Sequence, residues 1–186
     1  MEESRRHPQF STKGMVAHYK LWAGITYTSK LFDYSNSGYL ATVNGAGMLQ
    51  SYPGFNVTAT DKLTVGTGPT SVSTVLMWIN PVDVIGADEI VGINFTDSLK
   101  IDTGAITKTG FAGGTTVLYV DGLASSTVTA NWHFVGITDT SAKNANACTF
   151  GGYVGKMGEC MLFDRVLTQP EIKSIYELTK WRYPNN

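Results

Sequence analysis

The chain has 186 residues, with 14 Lys and Arg against 15 Asp and Glu, so it is nearly neutral at a net charge of −1 and only 16% charged. That length fits one domain large enough to bury a core. The absence of a Lys/Arg stripe argues against nucleic acid or an anionic membrane as partner, and no stretch is long and apolar enough to span a bilayer.

Residues Met1 to Gly14 are polar and carry Arg5-Arg6, which predicts an arm or linker outside a domain running from 15 to 186. They lack the apolar centre of a signal peptide, so export is expected, if at all, by another route or inside something else. Met15 to Trp22 alternates apolar and polar residues and predicts the first strand. Turn signals then crowd the chain at Asp33-Tyr34-Ser35-Asn36-Ser37-Gly38, Asn44-Gly45 and Tyr52-Pro53-Gly54, with short strands around 38–43 and 47–52. Further strands are expected at 55–58, 63–65, 71–79, 90–95, 98–101, 105–109, 116–122, 124–128, 132–138, 149–153 and 158–163. Asp121-Gly122 is a two-residue hairpin signal. Thr168 as N-cap, Pro170 in the first turn and Glu171 three residues after the cap predict a helix over 169–180. Its apolar face carries Ile172, Ile175, Tyr176 and Leu178. Short antiparallel strands and one closing helix make this an all-β, two-sheet jelly-roll sandwich. Cys148 and Cys160 read as buried free thiols, with a cross-strand disulfide as the alternative.

Four segments carry a resemblance. They are Met15–Leu21 with the 33–38 loop behind it; Ser73–Pro81 with its Trp78-Ile79-Asn80-Pro81 close; Leu118-Tyr119-Val120-Asp121-Gly122 followed by Asn131-Trp132-His133-Phe134-Val135; and the final strand with its capped helix. In that order they resemble laminin-G-like domains of the concanavalin A-like lectin and glucanase superfamily. The closing Ile175–Pro184 phrase is similar to endings of such domains encoded by bacteriophages. The resemblance spans about Met15 to Trp181. It implies a jelly-roll sandwich and a virion surface protein, either capsid decoration or fibre component, that binds glycans for host attachment. The implied partners are other virion proteins, copies of itself and cell-surface glycans. A carbohydrate-binding or adhesion module of a larger cellular or extracellular protein is the alternative, and a glycoside hydrolase a third reading.

No carboxylates alternate along one strand as a glycosidase on this fold needs, so no catalytic residue is expected. Asp88, Glu89, Glu159 and Asp164 read as solvated turn and edge carboxylates. His18 and His133 read as core or sheet-surface residues. No cofactor is expected except calcium, for which the turn residues Asp33 and Asp121 are the candidates, although Asp is also an ordinary turn residue. Trp78 and Trp132 are expected in the core. Trp22, Tyr27, Tyr34 and Tyr39, in the loop-rich first third, are the candidate ligand-binding residues, since a sugar ring stacks on Trp or Tyr. The competing reading is that they cover the ends of the sandwich.

Overall fold

The computed structural model describes residues 10–23, 29–45 and 50–185. Among these, fifteen strands run in chain order: β1 (Met15–Tyr19), β2 (Lys30–Leu31), β3 (Ala41–Asn44), β4 (Gln50–Ser51), β5 (Gly54–Val57), β6 (Lys62–Val65), β7 (Val72–Pro81), β8 (Ala87–Gly92), β9 (Ser98–Asp102), β10 (Ala105–Thr109), β11 (Thr116–Val120), β12 (Leu123–Ala124), β13 (His133–Lys143), β14 (Thr149–Gly151) and β15 (Gly155–Phe163). Helix α1 spans Gln169–Thr179. The first sheet has the order β12-β11-β13-β7-β15-β5-β4, with β1 also on β15, and the second β10-β9-β8-β14-β6-β3-β2. Every named pairing is antiparallel. This is the expected all-β sandwich with one short C-terminal helix.

The central strands of the first sheet are buried on both faces, and their alternation shows why. Val75, Met77 and Ile79 of β7, with Val135 and Ile137 of β13, face the second sheet and form the inner core. Leu76, Trp78, Phe134, Met161 and Phe163 point the other way into a second apolar cluster, covered by Leu167, Ile172, Ile175 and Tyr183. A strand with apolar neighbours on both sides must read as a continuous apolar run, as β7 does. Trp132 joins Trp78 in this outer cluster. The Trp78 indole N–H donates to Thr179 Oγ1 at 3.0 Å, satisfying the one polar atom that Trp78 buries there.

The outer cluster depends on a bulge in β15. Its pairing with β7 shifts register between Met157 and Cys160. Both residues face the inner core, although a regular strand puts residues three apart on opposite faces. The extra residue turns Gly158 and Glu159 outward. A β-carbon on Gly158 would lie 2.6 Å from Tyr183 Cε1 and 2.7 Å from Trp78 Cβ. The missing side chain lets the Tyr183 ring stack on Trp78 with centroids 4.4 Å apart.

Other local signals meet their physical reasons. The 121–122 turn has Asp121 at φ 53° and Gly122 at φ 80°, the left-handed pair a two-residue hairpin requires. The first strand stops at Tyr19 rather than reaching Trp22, because Ala23 N–H closes a turn on the Lys20 carbonyl and Leu21–Ala23 winds as a 3-10 turn. The strand expected at 90–95 ends at Gly92, because Asn94 Oδ1 takes the N–H groups of Thr96 and Asp97 and tightens the chain into a turn. The first half of the strand expected at 47–52 falls outside the described residues; β4 lies in its second half. Cys148 and Cys160 are buried free thiols. The described part of the leading segment lies on the sandwich: Phe10 packs against the outer cluster, and the Lys13 carbonyl accepts from Arg165 Nε at 2.9 Å.

Helix α1 starts where its cap was read. Glu171 Oε2 accepts the Thr168 N–H at 2.8 Å, and the Arg165 guanidinium grips the same carboxylate at 2.7 and 3.1 Å. Arg165 first, and the Thr168 N–H after it, hold the Glu171 carboxyl down at about 2. A depressed carboxyl stabilises the fold above its unfolded value of about 4.3, and that contribution fades as pH falls toward 2. The pair is partly exposed, so solvent screening keeps the effect near 1 kcal/mol. Glu171→Gln is therefore expected to lower unfolding free energy by about 1 kcal/mol at pH 7, with the two proteins converging near pH 2 in urea titrations. Gly158→Ala is expected to cost about 1–3 kcal/mol by forcing Tyr183 off Trp78, read as a lower thermal midpoint with loss of near-ultraviolet dichroism.

Candidate functional site

Beside the bulge, the outer face changes from apolar to charged. His18 leaves β1 on this face, and its Nε2 lies 2.6 Å from Glu159 Oε1. Arg182 Nη1 donates to Glu159 Oε2 at 3.2 Å, and the Glu159 N–H donates to Tyr183 Oη at 2.9 Å. Glu159 is only 1% exposed, so it is a buried, doubly held carboxylate and not the solvated edge group expected. A carboxylate removed from water needs such partners, because an unpaired one would cost several kcal/mol. Burial, with Glu159 next, pushes the Tyr183 hydroxyl well above its usual range, so it stays protonated.

Above this base, aromatic rings and cations alternate. Lys20 Nζ sits 4.6 Å from the Tyr34 ring centroid and 5.8 Å from that of Trp22. The Arg182 guanidinium carbon sits 4.9 Å from the Trp22 centroid and 4.7 Å from that of Trp181. The result is a row, Tyr34–Lys20–Trp22–Arg182–Trp181, drawn from the end of β1, the 33–38 loop and the C-terminal 3-10 turn Lys180–Arg182. Each cation over a ring face contributes about 0.5–1 kcal/mol, more where water is excluded. Tyr34 is 45% and Trp181 65% exposed, so the ends of the row face solvent. The Trp22 indole N–H is covered and has no hydrogen-bond partner among the described residues. Such a group costs about 1–3 kcal/mol to leave unmade. Tyr34 also lies edge-on to His18, with centroids 6.4 Å apart, and Phe10 meets the same imidazole at 6.2 Å.

The structure thus brings together Trp22 and Tyr34 of the four aromatic candidates. Tyr39 stands apart: its side chain packs, partly buried, against the inner core, while its carbonyl accepts from Tyr19 Oη at 2.7 Å. Tyr27 lies outside the described residues. The calcium candidates are not brought together, and their oxygens are occupied. Asp33 Oδ1 takes the N–H groups of His18 and Ser35, and Oδ2 takes Ser35 Oγ and the Tyr39 N–H. Asp121 Oδ1 takes the Phe134 N–H, and Oδ2 lies 2.7 Å from His133 Nδ1. Among the described residues no group of three or more His, Cys, Asp or Glu is placed to hold a metal ion. His133 Nε2 in turn accepts the Thr129 N–H at 3.1 Å and lies 2.9 Å from Thr129 Oγ1. The ring therefore acts as an acceptor at Nε2 and braces the 125–132 loop against the Asp121 turn.

Lys20, Trp181 and Arg182 were missed by sequence reasoning. Lys20 could have been flagged as a basic residue two positions before a tryptophan. Nothing local, however, places the 181–182 pair against residues 20 and 22.

No protein-family model matches the chain, and no curated protein matches it. Solved structures do. The chain is similar to the receptor binding domain of botulinum neurotoxin mosaic serotype C/D, which carries a tetraethylene glycol on its Hcn sub-domain, with a TM-score of 0.54 at 13% identity over 90% of this chain and 51% of that one. It is equally similar, with the same score and identity, to a chain of botulinum neurotoxin type C, which interacts with two ganglioside molecules. The ligand binding domain of serotype D, in complex with N-acetylneuraminic acid, matches with a TM-score of 0.52 at 15% identity over 90% of this chain and 52% of that one. The chain spans about half the length of these structures, and at such identities the likeness is one of fold: a two-sheet antiparallel β-sandwich.

Proposed function

We propose that this chain is a non-enzymatic, lectin-like module that docks glycans on the Tyr34–Trp181 row. The row itself carries the reading. Exposed aromatic faces suit the C–H face of a sugar ring, and stacking on Tyr or Trp adds contact area at little conformational cost. The rings are locked by the cations between them, so little further ordering opposes binding. The neurotoxin domains that share this fold include ones in complex with sugars, which supports a glycan over an unrelated ligand. Glu159, Asp33 and Asp121 are each already hydrogen-bonded within the fold, which favours binding over glycosidic chemistry.

The laminin-G-like segments and the phage-like closing phrase support a finer reading. In it the module sits on the surface of a bacteriophage particle, as capsid decoration or fibre component, beside other virion proteins and copies of itself. In this reading residues 1–9, ahead of the Phe10 contact, would reach a neighbouring subunit. Presentation as an adhesion module of a larger cellular or extracellular protein is the alternative, and it uses the same row.

A glycan array followed by calorimetry tests the site. Tyr34→Ala and Trp181→Ala are each expected to weaken the best ligand about tenfold or more, equivalent to about 1.4 kcal/mol, while the melting temperature moves by less than about 3 °C. Undiminished binding in both variants would remove the row from the account. Light scattering tests the particle role. The full chain is expected to self-associate or attach to a partner particle, and a chain starting at Phe10, which keeps the Phe10 contact, to remain monomeric. Two monomers would favour the larger-protein alternative.

A further inference from the structure

Resting on the reading of the row as a glycan platform, we infer that its ligand is an acidic glycan, one bearing a carboxylate or sulfate beside the stacked ring. A neutral sugar needs only ring faces and neutral hydrogen-bond partners. This row instead sets two cations against one indole. Lys20 makes no ion pair among the described residues; its ammonium meets only the Tyr34 and Trp22 rings. Arg182 commits one nitrogen, Nη1, to Glu159. Its remaining N–H groups have no acceptor among the described residues.

Of the row's two cations, Arg182 is ion-paired with Glu159 at 3.2 Å and Lys20 is paired with no carboxylate among the described residues. Glu159 lies beneath them, is 1% exposed and is shared with His18. Asp33 spends both oxygens on the 33–39 loop and the His18 N–H. Glu177 is paired with Lys180. What remains beside the exposed aromatic rings is the Lys20 ammonium and the Arg182 N–H groups that Glu159 does not take. Partly desolvated cations strengthen their pull on an anion, since the local dielectric is lower than that of water. A guanidinium fork also matches the two oxygens of a carboxylate or the oxygens of a sulfate.

The experiment is an array of matched glycans that differ only in a carboxylate, a sulfate or neither, read with the full chain, Lys20→Gln and Lys20→Glu at low and high salt. The acidic members are expected to bind about tenfold or more tighter than their neutral counterparts at low salt. The gap should narrow as screening rises, largely close in Lys20→Gln, and reverse in Lys20→Glu, with both variants folded and their melting temperatures lower by no more than about 5 °C for the two lost ring contacts. Preference for the carboxylated or the sulfated set identifies which anion the row takes. Equal binding of neutral and acidic members, or an acidic preference that survives Lys20→Glu, overturns the inference and leaves the glycan platform standing. Binding to no member overturns both.

Discussion

The outer face of the first sheet is the constraint on which the rest of this molecule depends. Leu76, Trp78, Phe134, Met161 and Phe163 would leave a broad apolar surface in water if nothing covered them. Burying side chains of that size is worth roughly 1.5–3 kcal/mol each. The helix and the segment after it supply the cover, and Tyr183 closes it. That closure works only because residue 158 has no side chain. One bulge therefore does two things: it opens a space for an aromatic ring, and it turns the next carboxylate toward His18 and Arg182.

The polar base follows from the apolar lid. Once Tyr183 is seated, Arg182 is carried over the sheet, where Glu159 is waiting at its edge. His18 arrives from β1, which pairs with the same half of β15. The three side chains come from three segments and are satisfied only together. Aromatic rings then fill the spaces around the two cations. The row is thus a by-product of how the sandwich is sealed, and its rigidity comes from that seal.

Much of the scaffold was readable from local chemistry. The strand read at 71–79, the Asp121-Gly122 turn and the Thr168–Glu171 cap each specify their structure within a few residues, and each appears, the strand as Val72–Pro81. The site was only half readable. Trp22 and Tyr34 announced themselves as aromatics in a region dense with turns. The bulge did not, because Met157 and Cys160 look like opposite faces until the register shift is seen, so Glu159 read as an edge carboxylate. Arg182 meets Trp22 across nearly the whole sequence and brings Trp181 with it, a proximity that only the assembled sheet creates. Tyr39 failed for a related reason: its neighbours suggested a surface loop, but its ring packs on the inner core.

Because the row straddles the seam between the first strand and the C-terminal turn, any molecule that bridges Tyr34 and Trp181 also staples that seam. Occupancy and folding are then linked quantities. A ligand held at a hundred times its dissociation constant would add about 2.7 kcal/mol to the unfolding free energy. Much of that gain would fall on opening of the C-terminal segment, the part whose release would uncover Trp78. The module would be at its most resistant to fraying and proteolysis while attached, and at its least resistant once it had let go.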